Sequence, residues 1–240
     1  MAVQANGEQG SLGRPELFTT YGDTSPFAEA YRILRINLFQ NDGRPLWSLG
    51  ITGAGPGHGS STTTANLGLI MGEVRSRVAL VDCDLLKPSL HRLFQMPNTV
   101  GLASVLKGEV RLEDALHPVA GYPLLRVLTA GPSVPNPAAL LQRAALDALF
   151  GRLKLETDLA IFDMPSVRVV SYTSFLASLV DGLLLVVRSG TTPVGVDRIM
   201  QRQLKGAHVI GAVLNKVSMD TSEVASYRDY ALYNKKRERS

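Results

Sequence analysis

Between Trp47 and Leu69 the chain reads WSLGITGAGPGHGSSTTTANLGL, and no other stretch narrows the choice of fold as far. A short apolar run containing Leu49 and Ile51 leads into glycines at 53, 55, 57 and 59, and a Ser/Thr run then opens an apolar helix. Strand, glycine loop and helix start in that order form a phosphate-binding loop. Glycines let backbone N–H groups converge on an anion, and the helix N-terminus adds partial positive charge. The general form G-x-x-x-x-G-K-[ST] sets a lysine on the β- and γ-phosphates and a hydroxyl on Mg²⁺. Gly55, Gly57, His58, Gly59, Ser60, Ser61 and Thr62 are therefore the candidate nucleotide-binding residues, with Ser60 standing where the lysine belongs.

Other segments fit around that loop. VALVDCD is a β-type run ending in Asp82 and Asp84. Alternation puts both carboxylates on one side of a strand end, where ligands gather in an open α/β sheet. Leu159 to Phe162 is a further strand, ending in Asp163 and followed by MPSV, which suits a loop at the sheet's carboxyl edge. Short helical pieces are expected around Ser89–Phe94, Leu102–Leu106 and Leu112–Leu116, then a strand near Leu124–Leu128. AGPSVPNPAALL turns the chain and starts a helix that the pattern carries to about Leu155. GLLLVVRSG and HVIGAVLNKV are apolar strands separated by a helix near Val196–Leu204. This alternation predicts an α/β P-loop NTPase fold, a doubly wound, mostly parallel sheet with helices on both faces.

Ahead of the loop, SPFAEAYRILRINLF predicts a helix. Ser25 caps it, Pro26 suits the first turn, and Ala28, Tyr31, Ile33, Leu34 and Leu38 recur at near-helical spacing. Glu29, Arg32 and Arg35, three apart, make one charged ridge. Residues 1–24 are polar and glycine-containing and read as a flexible arm, 25–217 as the domain, and 218–240 as a tail. The tail carries Tyr227, Tyr230 and Tyr233, whose spacing also fits an ordinary amphipathic end. It closes on Lys235, Lys236, Arg237 and Arg239. That basic end reads either as solvated or as a contact to an anionic membrane face, where each basic residue contributes on the order of 1 kcal/mol.

With 240 residues, 45% of them apolar and 19% charged, the chain can bury one sizeable α/β core. The net charge of +4 is small, and no nucleic-acid partner is expected. Its single cysteine, Cys83, excludes an internal disulfide and a multi-cysteine metal site and reads as a buried small residue. The longest apolar run, Leu183 to Val187, is too short for a bilayer, and the first residues lack a basic-then-apolar signal pattern, so a cytoplasmic location is expected.

Taken in order, SPFAEAYRILR, AGPGHGSSTTTANL, VDCDLLKPSLHRLF, PNPAALL, IFDMP, LVDGLLLVVRSG and VLNKV resemble the motifs of the bacterial tyrosine kinases that regulate capsule and exopolysaccharide synthesis. The likeness covers roughly Ser25 to Val217. It implies ATP and Mg²⁺ as cofactors. Glu29, Arg32 and Arg35 match the family's E-x-x-R-x-x-R oligomerisation ridge, and Ser61 its Mg²⁺-binding hydroxyl. Asp82 and Asp84 match the acids of its second Walker motif, the first of which helps arrange Mg²⁺ and the incoming tyrosine, and Asp163 matches the Walker B acid. The resemblance thus implies a catalytic set of Asp82, Asp84 and Asp163, a metal set of Ser61, Asp82 and Asp163, and Asn215 on the base side. Tyr227, Tyr230 and Tyr233 resemble a reduced form of the tail cluster that the family phosphorylates between subunits. By the same resemblance the chain works beside a membrane co-polymerase that controls chain length. It would do so as a homo-oligomer or with related kinases, recruited to the inner face of the cell membrane.

The departures are specific. Ser60 replaces the loop lysine, Leu86 stands where the family's D-x-D-x-R has arginine, and Ser166 where its D-x-x-P has proline. The extra lysine that partition-type ATPases carry at the loop's start is also missing, Gly53 and Ala54 lying there. Phosphoryl transfer is catalysed by positioning and charge neutralisation. Losing one charged hydrogen bond removes about 1.5–3 kcal/mol of binding, or about ten- to a hundredfold, and a lost preorganised donor costs on the order of 10²–10³ in rate. Weak or lost ATP binding and impaired or absent turnover follow. Three readings stay open: a kinase-like regulator, an active autokinase using a substitute cation, and a nucleotide-free scaffold. Lys87, Arg92 or a neighbouring subunit's arginine are candidate cations by sequence proximity. His58 either donates to a phosphate or is a loop residue without a role, and His91 reads as surface or packing.

Overall fold

The computed structural model describes residues 17–20, 22, 25–39, 46–74 and 76–217. Its strands are β1 (Ser48–Gly53), β2 (Val78–Asp82), β3 (Leu116–Val119), β4 (Tyr122–Leu128), β5 (Leu159–Asp163), β6 (Gly182–Arg188) and β7 (Val209–Asn215). They form one sheet in the order β3-β4-β2-β5-β1-β6-β7. Every neighbouring pair is parallel except β3 with β4. β1, β2 and β5 are buried at every residue, as strands covered on both faces must be.

Along these strands successive side chains enter two different cores. Val78, Leu80, Leu159 and Ile161 join the face covered by α1 (Pro26–Phe39), α2 (Ser60–Gly72) and the short α3 (Leu90–Leu93). Ala79, Val81, Ala160 and Phe162 join the opposite face. There the cover comes from α4 (Leu102–Leu106), α5 (Leu112–Ala115), α6 (Pro137–Leu140), α7 (Arg143–Glu156), α8 (Tyr172–Ala177) and α9 (Pro193–Arg202). The doubly wound α/β architecture is therefore as the sequence pattern predicts.

Three local expectations are corrected. Within the stretch read as an arm, Phe18–Thr20 form a 3-10 turn, and Leu17 and Phe18 are buried in the core under α1 and α2, because two adjacent apolar side chains gain more there than in water. The single helix expected up to Leu155 is broken: Leu141 turns into the core and Gln142 is extended, with ψ 149°, so α6 and α7 are separate. Leu116 starts β3 instead of ending a helix, and Pro118 is tolerated because β3 is the sheet's outer edge. α8 was not expected from the sequence at all. Among the described residues no helix is long and apolar enough to cross a membrane. Tyr227, Tyr230, Tyr233 and the basic end lie outside the described residues.

Candidate nucleotide site

β1 delivers the glycine loop to the carboxyl edge of the sheet. The amide of Ala54 donates to the Val186 carbonyl (2.9 Å), that of His58 to Gly55 (3.3 Å), and that of Thr63 to Gly59 (2.9 Å), so the loop turns once and enters α2 directly. Gly57 and Gly59 take the left-handed conformation, with φ 71° and 96°, which favours glycine. At Gly59 a side chain would also strike the amide of Asn215. Ser60 heads α2, and with Ser61 and Thr62 it borders a cavity of about 720 Å³.

Asn215, expected on the base side, holds the loop itself: its side-chain amide donates to the His58 carbonyl at 2.9 Å. His58 is placed as scaffold. Its Nδ1 accepts the Arg188 amide at 3.1 Å, which requires a neutral ring, and the ring is not part of the cavity wall. Burial foremost, and then the charges of Arg188, Lys216 and Arg168, hold its pKa below the usual histidine range.

The acids behave differently from one another. Asp82 is fully buried and accepts three backbone N–H groups, from Asp84 (3.2 Å), Ser89 (3.0 Å) and Leu90 (3.0 Å). Asp84 is half-buried, lines the cavity, and accepts from Leu86 (3.2 Å) and Lys87 (2.9 Å). Together the pair brace the loop that leaves β2. Asp163 is the in-register neighbour of Asp82 and is also fully buried. The hydroxyl of Ser61 bonds to it, and that of Thr64 lies at 3.5 Å, but its Oδ2 has no partner. Burial pushes the Asp82 carboxyl up to about 7 despite its backbone donors, and burial with the charge of Asp82 pushes Asp163 well up. Two adjacent buried carboxyls, one with an orphaned oxygen beside a hydroxyl, fit a divalent cation. No group of three His, Cys, Asp or Glu assembles among the described residues, but Mg²⁺ at phosphate sites takes only one or two carboxylates, with water and phosphate completing the shell. Cys83 lies between the acids, its amide on the Asp163 carbonyl (2.8 Å) and its thiol pushed up by burial, a packing residue as expected.

The charged ridge of α1 has partners within the chain. Arg32 pairs with Glu29 and with Glu73, each at 3.6 Å, and Arg35 donates to the Ile70 carbonyl in the last turn of α2 at 3.3 Å. Two residues escaped the sequence reading. Asn66, buried in α2, accepts the Phe18 amide (2.8 Å), donates to the Thr62 carbonyl (2.8 Å) and bonds the Tyr31 hydroxyl, tying the N-terminal turn and α1 to the phosphate-loop helix. Its signal was an amide set directly before the apolar run 67–71 of the helix. Lys216 lines the cavity and follows Asn215 in a left-handed conformation, φ 57°, for which the sequence holds no cue.

Tyrosine-protein kinase YwqD of Bacillus subtilis (strain 168) is 34% identical to this chain over 98% of both. The kinase domain of the Escherichia coli tyrosine kinase ETK superposes with a TM-score of 0.72 at 31% identity, covering 80% of this chain and 78% of its own. The chimerical protein CapA2B2 superposes with a TM-score of 0.79 at 28% identity, covering 86% and 92%. No family model matches the sequence. Identity sustained over nearly the full length, on a phosphate loop and acid pair set at one edge of a doubly wound sheet, makes this chain a member of the bacterial tyrosine kinase family of capsule and exopolysaccharide synthesis.

Proposed function

We propose that this protein is a kinase-like regulator of polysaccharide synthesis and export that binds Mg-ATP weakly and has impaired or absent phosphotransfer. The observation that carries this reading is the serine at the head of α2: the loop, the hydroxyl and the buried acids are assembled, and the side chain that would span the β- and γ-phosphates is too short and uncharged. The backbone amides of Gly57 to Thr62 would hold the phosphates, and Ser61 and Asp163, with Asp82 behind them, would hold Mg²⁺. When bound, Mg²⁺ supplies the charge that neutralises the phosphate oxygens. Asp82 and Asp84 keep the β2 loop in place beside it.

Regulation then runs through assembly. Glu29, half-exposed at the ridge, and its neighbours Arg32 and Arg35 present α1 to another subunit of this chain or of a related kinase. The partner in the membrane is a co-polymerase that sets chain length, and the protein is recruited to it from the cytoplasm. The second reading, an active autokinase acting on Tyr227, Tyr230 and Tyr233, is favoured by one observation: Lys87, Arg92 and Lys216 all line the cavity.

Titration calorimetry of Mg-ATP into wild type and Ser60→Lys separates the readings. The expected result is binding by both, about ten- to a hundredfold tighter for the lysine variant, with no labelled phosphate reaching the tail of wild type. Transfer to the tail tyrosines, abolished by Asp163→Asn, would instead establish the autokinase. Absence of binding by wild type would leave a nucleotide-free scaffold.

A further inference from the structure

With Ser60 in the loop, the phosphates need charge from elsewhere. Lys87, Arg92 and Lys216 are exposed at the cavity, and none has an ion-pair partner among the described residues. They are not equivalent, because the sheet gives the site two ends. β5 and β2 lie on one side of β1, and β6 and β7 on the other. Ser61 bonds Asp163, and Asp163 neighbours Asp82, so the metal and the terminal phosphate belong on the β5–β2 side. Lys87 stands on that side, and its backbone is immobilised: its own amide is on Asp84 (2.9 Å), and the amides of Ser89 and Leu90 are on Asp82 (3.0 Å each). Arg92 follows in α3. Lys216 stands at the other end, directly after Asn215, whose amide grips the His58 carbonyl.

We propose that Lys87 is the surrogate for the missing loop lysine, bringing its ammonium from the braced loop after β2 to the terminal phosphate of a bound nucleoside triphosphate. The assignment rests on the reading that the site takes a Mg-nucleotide. A loop lysine at the head of α2 reaches both outer phosphates, whereas a lysine from the facing wall meets the outermost one. Lys87 is thus a specificity determinant: it favours a triphosphate over a diphosphate. A fixed Cα with a flexible four-carbon stem suits such a role, since the ammonium is a mobile point charge with three donors.

The test is a titration of Mg-ATP and of Mg-ADP into the full chain as wild type, Lys87→Gln, Lys216→Gln and Lys87→Gln with Ser60→Lys. Thermal unfolding checks that the exposed substitutions leave the fold intact. Lys87→Gln is expected to weaken Mg-ATP about ten- to a hundredfold while changing Mg-ADP little, so the preference for ATP disappears. Lys216→Gln should leave the ATP-to-ADP ratio as in wild type, and adding Ser60→Lys to Lys87→Gln should restore ATP binding. A ratio unchanged by Lys87→Gln, in a wild type that binds, overturns the assignment and leaves the nucleotide reading standing. A wild type that binds neither nucleotide overturns both.

Discussion

At Asp163 a buried carboxylate oxygen has no donor, and the next strand sets the buried Asp82 beside it. Both cannot be charged side by side in the core, so without a cation the folded protein must keep a proton there at neutral pH, which carries a local cost. Asp163→Asn, which removes the titratable group, is therefore expected to stabilise the metal-free chain at neutral pH by about 1–3 kcal/mol, one pKa unit being worth about 1.4 kcal/mol. It should also abolish any further stabilisation by Mg-ATP; differential scanning calorimetry with and without the ligand reads both. At this scale the sequence shows where the acids lie but not what they hold. Asp82, Asp84 and Asp163 were legible as carboxylates at strand ends, whereas the use of Asp82 and Asp84 on backbone amides depends on how residues 84–90 fold back. His58 follows the same logic, since a loop histidine looks available until the neighbouring strand supplies the Arg188 amide.

Among the elements, α2 carries the densest set of obligations. It presents Ser60, Ser61 and Thr62 at one end, takes Arg35 on the Ile70 carbonyl at the other, and through Asn66 holds both Tyr31 of α1 and the amide of Phe18. Phe18 is buried and also lines the cavity. Truncating it to Ala should cost about 3–5 kcal/mol, and Asn66→Ala about 1–3 kcal/mol through the stranded amide; urea unfolding measures both. If the N-terminal turn contributes nothing, both variants will unfold like wild type. The elements themselves were largely legible, because apolar runs and caps mark strands and helices locally. What was not legible, the turn at Phe18 and the break at Leu141, is decided by burial against distant partners.

Over the whole molecule, alternate residues of the central strands feed two separate cores, and the outer strands are less protected: β7 has no fully buried residue, whereas β1 and β5 have no exposed one. Hydrogen exchange read by mass spectrometry should find amides of β1, β2 and β5 slowest, opening only with global unfolding, and those of β7 and β3 fastest. Equal protection across the sheet would contradict this ranking. The architecture could be read from the alternation of apolar strands with helices, since that pattern admits few other arrangements. Strand order within the sheet could not, for it is set by crossover connections that leave no local mark. The brace formed by Asp82 carries a wider lesson. A carboxylate that three amides depend on is a keystone, and a chain that gave up phosphoryl transfer would still keep it or lose the arch around it. Intact acids in a nucleotide motif are therefore testimony to architecture, and turnover has to be witnessed separately.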